Sequence, residues 1–153
     1  MTRPIHILNG PSLNRLGTRE PHLYGTTTLA EVEAMCREAS EGHPLTFRQA
    51  NAEGDLIGWV HEALDDGAGM IINPAACTFT SIALADALAL FPGPIIELHI
   101  TNLHRREALR HHSHIAKVAT AVVAGLGVAG YPFAVRAMRE LIAEAHRGAT
   151  AMR

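Results

Sequence analysis

Short apolar runs return five times along the chain, with amphipathic or polar stretches between them, and this pattern limits the fold more than any other feature. The runs cover residues 5–8, 45–49, 69–73, 94–100 and 118–125, each of strand length. Ile5-His6-Ile7-Leu8 and Met70-Ile71-Ile72 are apolar on both sides of the strand rather than on one. Strands of that kind are buried on both faces, as in parallel sheets with helices packed above and below.

The intervening stretches supply those helices. Thr28 and Glu31 form a capping-box pattern opening a helix in which Leu29, Val32, Met35 or Cys36, and Ala39 share a face, and Gly42 and Pro44 stop it. Residues 54–66 place Leu56, Trp59, Val60, Ala63 and Leu64 inward, residues 80–90 form a third helix, and residues 131–146 close the chain. Residues 101–114 are a polar loop with a helical turn around 106–109. Right-handed crossovers then lead to an α/β, flavodoxin-like doubly wound five-stranded parallel sheet with helices on both faces. Residues 1–148 read as one domain and residues 149–153 as a flexible C-terminal tail.

A chain of 153 residues can bury such a core without disulfides or a structural metal. Its formal charge of -2 gives nucleic acid or an anionic membrane no global attraction. The start, Met1-Thr2-Arg3-Pro4, leads straight into the first strand without an apolar leader, so a cytoplasmic location is expected. Cys36 and Cys77 have neither pairing nor ligand spacing and read as packed side chains.

In open α/β sheets, ligands sit beyond the carboxyl ends of the strands. That selects Asn9 to Ser12, Asn73 to Thr80 and His99 to Asn102. The polar stretch 9–27 is long for a compact domain and reads as an active-site lid carrying Arg19 and Tyr24, with Tyr24 on its solvent side. An arginine near Tyr24 would favour tyrosinate, a base. Alternation puts Glu97 and His99 on one side of their strand, where the pair is either an oriented general acid or a buried structural contact. The segment holding His104, Arg105, Arg106, Arg110, His111, His112 and His114 lacks interleaved aromatics and metal-ligand spacing. It suits an anionic small molecule or a subunit contact. Gly125-Leu126-Gly127-Val128-Ala129-Gly130 comes too late in the chain to open a nucleotide-binding unit.

Several blocks together resemble a known family. Asn9-Gly10-Pro11-Ser12-Leu13-Asn14-Arg15-Leu16-Gly17, Arg19-Glu20-Pro21 and Tyr24-Gly25 are similar to the opening signature of type II 3-dehydroquinate dehydratases. Asn73-Pro74-Ala75-Ala76, Thr80 to Leu84, Glu97 to Asn102, Arg106-Glu107, Arg110, Gly125-Leu126-Gly127 and Gly130-Tyr131 continue it in order. The resemblance implies elimination of water from 3-dehydroquinate through an enolate, without cofactor, metal or Schiff base. It makes Tyr24 the base, Arg19 the support of its tyrosinate, and His99 the acid held by Glu97. Asn73 and Arg110 match binders of ring hydroxyls, and Ile100 with Thr101 match the carboxylate binder. Asp86 matches an aspartate that reaches a neighbouring subunit's site, in a dodecamer built of trimers.

Two positions depart from the pattern. Ser12 replaces an asparagine that organises water and polar groups around the enolate, and Phe79 replaces a substrate-binding histidine. Phenylalanine offers no hydrogen bond, and a buried hydroxyl left without a partner costs about 1–3 kcal/mol. Smaller changes are Thr101 for a serine, His111 for an arginine and Ala85 for a basic residue. Three readings therefore stand: a dehydroquinate dehydratase, a paralogue acting on a related cyclic hydroxyketone, and a ligand-binding scaffold. Aromatic biosynthesis, quinate catabolism and a specialised pathway are all open as settings.

Overall fold

A computed structural model of the chain describes residues 2–151. Strands β1 (Ile5–Asn9), β2 (Leu45–Gln49), β3 (Gly69–Asn73), β4 (Ile95–His99) and β5 (Ala121–Ala124) form one sheet in the order β2-β1-β3-β4-β5. Every neighbouring pair is parallel. This is the flavodoxin-like order expected from the sequence.

Period-two alternation divides the core between the two faces. Ile5, Ile7, Ile71, Ile96 and Leu98 pack with Val32, Cys36 and Ala39 of α2 (Leu29–Ala39) and with Tyr131, Val135 and Met138 of α5 (Gly130–Ala151). Leu8, Met70, Ile72 and Ile95 pack on the other side with Leu56, Val60 and Ala63 of α3 (Glu53–Asp66) and with Leu84 and Leu88 of α4 (Ile82–Leu88). α2 opens on the expected capping box: Thr28 Oγ1 accepts from the Glu31 amide at 3.2 Å, and Glu31 Oε1 accepts from the Thr28 amide at 3.4 Å.

The chain leaves β1 in one direction to make β2, then crosses back to make β3. Ligand crevices form where the order reverses in this way. At the crevice the Gly10 amide donates to the Asn73 carbonyl at 2.8 Å, and a Cβ at Gly10 would collide with the Pro74 carbonyl. Only glycine permits that approach. Tyr131 at the start of α5 ties the crevice from below, donating to Asn9 Oδ1 at 2.7 Å and accepting from Asn73 Nδ2 at 2.9 Å.

Several boundaries move. The fifth strand covers residues 121–124 rather than 118–125, and the third helix starts at Ile82, one residue after its cap Ser81. The stretch 9–27 contains a 3-10 turn at Leu13–Arg15 and a single helical turn, α1 (Pro21–Tyr24). The turn expected around 106–109 appears as two 3-10 turns, Leu103–Arg105 and Ala108–Arg110. α5 runs on to Ala151 and takes in residues 149–151 of the expected tail. Those residues are Ala149-Thr150-Ala151, which favour or tolerate a helix, and Gly148 alone does not stop one. The rest of the tail lies outside the described residues.

Candidate active site

His99 ends β4 and Glu97 precedes it by two residues, so both side chains leave the same face of the sheet. His99 Nε2 meets Glu97 Oε2 at 2.6 Å, with both residues buried. The other carboxylate oxygen, Oε1, accepts from Ser113 Oγ at 2.7 Å. Ser113 Oγ itself accepts from the amides of Ile115 and Ala116 at 3.0 and 3.1 Å.

Tyr24 is buried, which corrects its expected solvent-side place. α1 turns the residue inward between the left-handed Glu20, φ 35°, and Gly25, φ 77°, and its ring joins a cluster with Leu13 and Leu16. A non-glycine residue at positive φ is strained, and such strain gathers at functional sites. The Arg19 guanidinium lies 4.6 Å from the Tyr24 ring centroid. Arg106 approaches from the other side, donating from Nη1 to the Tyr24 hydroxyl at 2.9 Å and to Thr101 Oγ1 at 3.4 Å. Negative charge on the Tyr24 oxygen would meet two guanidinium groups.

Asn73 ends β3 with its amide fixed: Nδ2 donates to Tyr131, and Oδ1 accepts from the Ala75 amide at 3.2 Å. The second Nδ2 hydrogen remains for a ligand. Ile100 and Thr101 follow His99, and the glycine-rich stretch after β5 braces them. The Gly125 amide donates to the His99 carbonyl and the Gly127 amide to the Ile100 carbonyl. At Gly125, φ 89°, a Cβ would press on Asn102, which accounts for the glycines without a nucleotide.

Phe79 stands beside the histidine, its ring centroid 6.3 Å from that of His99 at an interplanar angle of 23°. The Arg110 guanidinium lies 5.7 Å from the Phe79 centroid, while Arg110 Nε donates to Glu107 Oε2 at 2.7 Å. That hydrogen bond holds the Glu107 carboxyl below the usual carboxylate range.

One pocket brings together Arg19, Tyr24, Asn73, Phe79, His99, Ile100, Thr101 and Arg110. Glu97 stands behind His99. Ser12 and Asp86 do not line the pocket. Ser12 sits at the β1 exit with φ 70° and donates its amide to Asn51 Oδ1 at 2.9 Å. Asp86 lies on the outer face of α4, in a groove with Ile82, His112, His114 and Lys117. Arg106, Leu13, Ala76 and Leu103 also line the pocket, although sequence reasoning assigned none of them a role: Arg106 stood only in the basic segment and in a block shared with the family. The signal that could have found Arg106 was its place in the Arg106-Glu107 block, but nothing in the sequence pointed it at Tyr24.

The histidines of residues 104–114 pair among themselves, His104 with His111 and His112 with His114. Among the described residues, no three of His, Cys, Asp or Glu converge as a metal site, and no helix is long and apolar enough to cross a membrane. Cys36 and Cys77 are buried and unpaired. Burial pushes the Cys36 thiol up to about 12, as expected of a packed side chain.

Comparison with known proteins agrees with this geometry. A family model described as "Dehydroquinase class II" matches residues 3–139. A protein of Agrobacterium fabrum named "3-dehydroquinate dehydratase 2" is 54% identical over 132 residues, 85% of this chain and 90% of that one. The crystal structure of type II dehydroquinase from Propionibacterium acnes superposes with a TM-score of 0.84 at 44% identity, covering 88% of this chain and 94% of that one. The type II dehydroquinase structure from Butyrivibrio crossotus gives 0.86 at 35% identity, covering 90% and 97%. With matching blocks spread from the first strand to the last helix, the chain belongs to the class II dehydroquinase family.

Proposed function

We propose that this protein is a hydro-lyase that removes water from 3-dehydroquinate to give 3-dehydroshikimate, by way of an enolate. The observation that carries this reading is the convergence on one pocket of a tyrosine flanked by two guanidinium groups and a histidine backed by a buried carboxylate.

The reaction has two proton transfers. Tyr24, as tyrosinate, takes the proton alpha to the ring ketone, and the C–H electron pair passes into the enolate. Arg106, bonded to the tyrosine oxygen, and Arg19, over its ring, stand where they would stabilise that negative charge. The enolate collapses, expelling the β-hydroxyl, and His99 gives that oxygen a proton so that water departs. Passage of a proton from Tyr24 to His99 through solvent resets the site. Glu97 fixes the imidazole through Nε2 and leaves Nδ1 for the substrate.

The remaining residues hold the ring. The backbone at Ile100 and Thr101 takes the carboxylate, with Arg19, Arg106 and Arg110 making the pocket cationic. The free Nδ2 hydrogen of Asn73 and the Arg110 guanidinium take ring hydroxyls. Phe79 contributes an apolar wall against His99. Ser12, at the crevice edge, orders water near the enolate with shorter reach than an asparagine. Asp86 acts in a neighbouring copy's site, within trimers that assemble into a dodecamer. The outward α4 surface supports this, since Ile82 and Leu90 are 62% and 63% exposed around Asp86.

Purified protein mixed with 3-dehydroquinate should generate the ultraviolet absorbance of a conjugated enone. Folded protein at high concentration that yields no enone would overturn the assignment.

A further inference from the structure

We infer that Ser113 is a positioning residue for the dehydration, acting through Glu97 on His99. The inference rests on the reading of His99 as the general acid and extends the acid's support by one residue.

A serine hydroxyl has one proton and two lone pairs. The Ser113 oxygen accepts two amide N–H groups, from Ile115 at 3.0 Å and Ala116 at 3.1 Å, which occupy its acceptor capacity. Its proton is thereby committed as a donor, and Glu97 Oε1 at 2.7 Å receives it. The direction of this hydrogen bond follows from the turn at residues 113–116, with no assumption about the carboxyl.

Glu97 needs that donor. It is 1% exposed, and among the described residues its only ion-pair partner is His99. The nearby arginines are occupied elsewhere: Arg110 is bonded to Glu107, and Arg106 to Tyr24 and Thr101. A buried carboxylate with one partner per oxygen depends on both, because each lost hydrogen bond leaves an uncompensated lone pair in a dry site. With Ser113 on Oε1, the carboxylate plane is fixed and Oε2 stays aimed at His99 Nε2, 2.6 Å away. Without it, Glu97 is free to rotate away from Nε2. The acid facing the substrate would then be misaligned.

The test is a steady-state comparison of variants of the full chain on 3-dehydroquinate. Ser113→Ala should lower kcat roughly ten- to a hundredfold, the loss of one hydrogen bond to a charged group, with KM within about threefold of the parent. Ser113→Thr, which keeps the hydroxyl, should restore most of the loss. Should the alanine variant fail to fold, Ser113→Cys keeps the side-chain size with a weak donor and carries the same expectation. In a His99→Ala background, read at high enzyme concentration, removing the Ser113 hydroxyl should cost nothing further, because its target is gone.

An unchanged kcat in the folded Ser113→Ala or Ser113→Cys protein overturns the inference, as does a threonine variant no better than alanine. A loss that persists at full size in the His99→Ala background also overturns it and makes Ser113 a structural turn residue. A His99→Ala protein with parental turnover instead removes the acid reading itself, an outcome separate from the others.

Discussion

At the scale of single residues, the proposed reaction gives Tyr24 the more demanding task, because a phenol is a weak base until it is ionised. Its hydroxyl accepts from Arg106 at 2.9 Å, with Arg19 over the ring face, so the two arginines act differently. In the proposed reaction Arg106 would hydrogen-bond the oxygen where charge develops, and Arg19 would supply field through the ring. Tyr24→Phe should reduce kcat by about two to four orders of magnitude, the usual worth of a positioned acid or base. Arg106→Leu should approach that loss, and Arg106→Lys should recover only part of it, since an ammonium keeps the charge without the planar fork. Enone formation at saturating substrate checks all three. Phe79 permits a prediction of opposite sign. Its ring lies between His99 and Arg110 and presents no donor to the pocket. Phe79→His should lower KM for 3-dehydroquinate by up to about tenfold with little change in kcat, the gain of one hydrogen bond to a ring hydroxyl. An unchanged KM would mean that Phe79 does not face that hydroxyl.

At the scale of elements, the crevice depends on the Tyr131 hydroxyl, which joins α5 to the ends of β1 and β3. Burial holds that phenol protonated well above its usual range. Folding therefore gives up no stability to Tyr131 below about pH 10, where both states keep the proton. As the pH rises further, the unfolded chain loses the proton while the folded chain retains it, and stability falls. Tyr131→Phe should be less stable at pH 7 by about 1–3 kcal/mol, because Asn9 and Asn73 lose a partner. It should lose stability less steeply between pH 10 and pH 11, as urea unfolding at the two values would show. Much of this level was legible in the sequence. Apolar runs located all five strands, and alternation put Glu97 and His99 on one side of β4. The lid was not legible in detail, because α1 is one turn between Pro21 and Gly25, too short to show a period. The Arg106 contact with Tyr24 and the role of Ser113 were hidden for a related reason. Arg106 sits on a bend between two 3-10 turns and Ser113 in irregular chain, where side-chain direction depends on tertiary contacts rather than spacing.

At the scale of the whole molecule, the question is whether Asp86 serves the reaction and, if it does, in which copy. The residue is absent from its own chain's pocket and projects from α4 one turn beyond the exposed Ile82, as i and i+4 neighbours on one helix face. If Asp86 completes a neighbour's site in a closed ring, a site needs Tyr24 from one subunit and Asp86 from the next. Tyr24→Phe and Asp86→Ala assemblies should then each be weak. Co-refolding them together places intact Asp86 from the first beside intact Tyr24 from the second. In a randomly mixed one-to-one ring, half the subunits carry Tyr24, and half of those have a neighbour with Asp86. About one quarter of the sites should therefore regain parental chemistry. Activity per site after co-refolding should rise well above the mean of the two parents. Activity equal to that mean would show that Asp86 serves its own chain or none, and parental turnover in Asp86→Ala alone would dismiss it from the reaction.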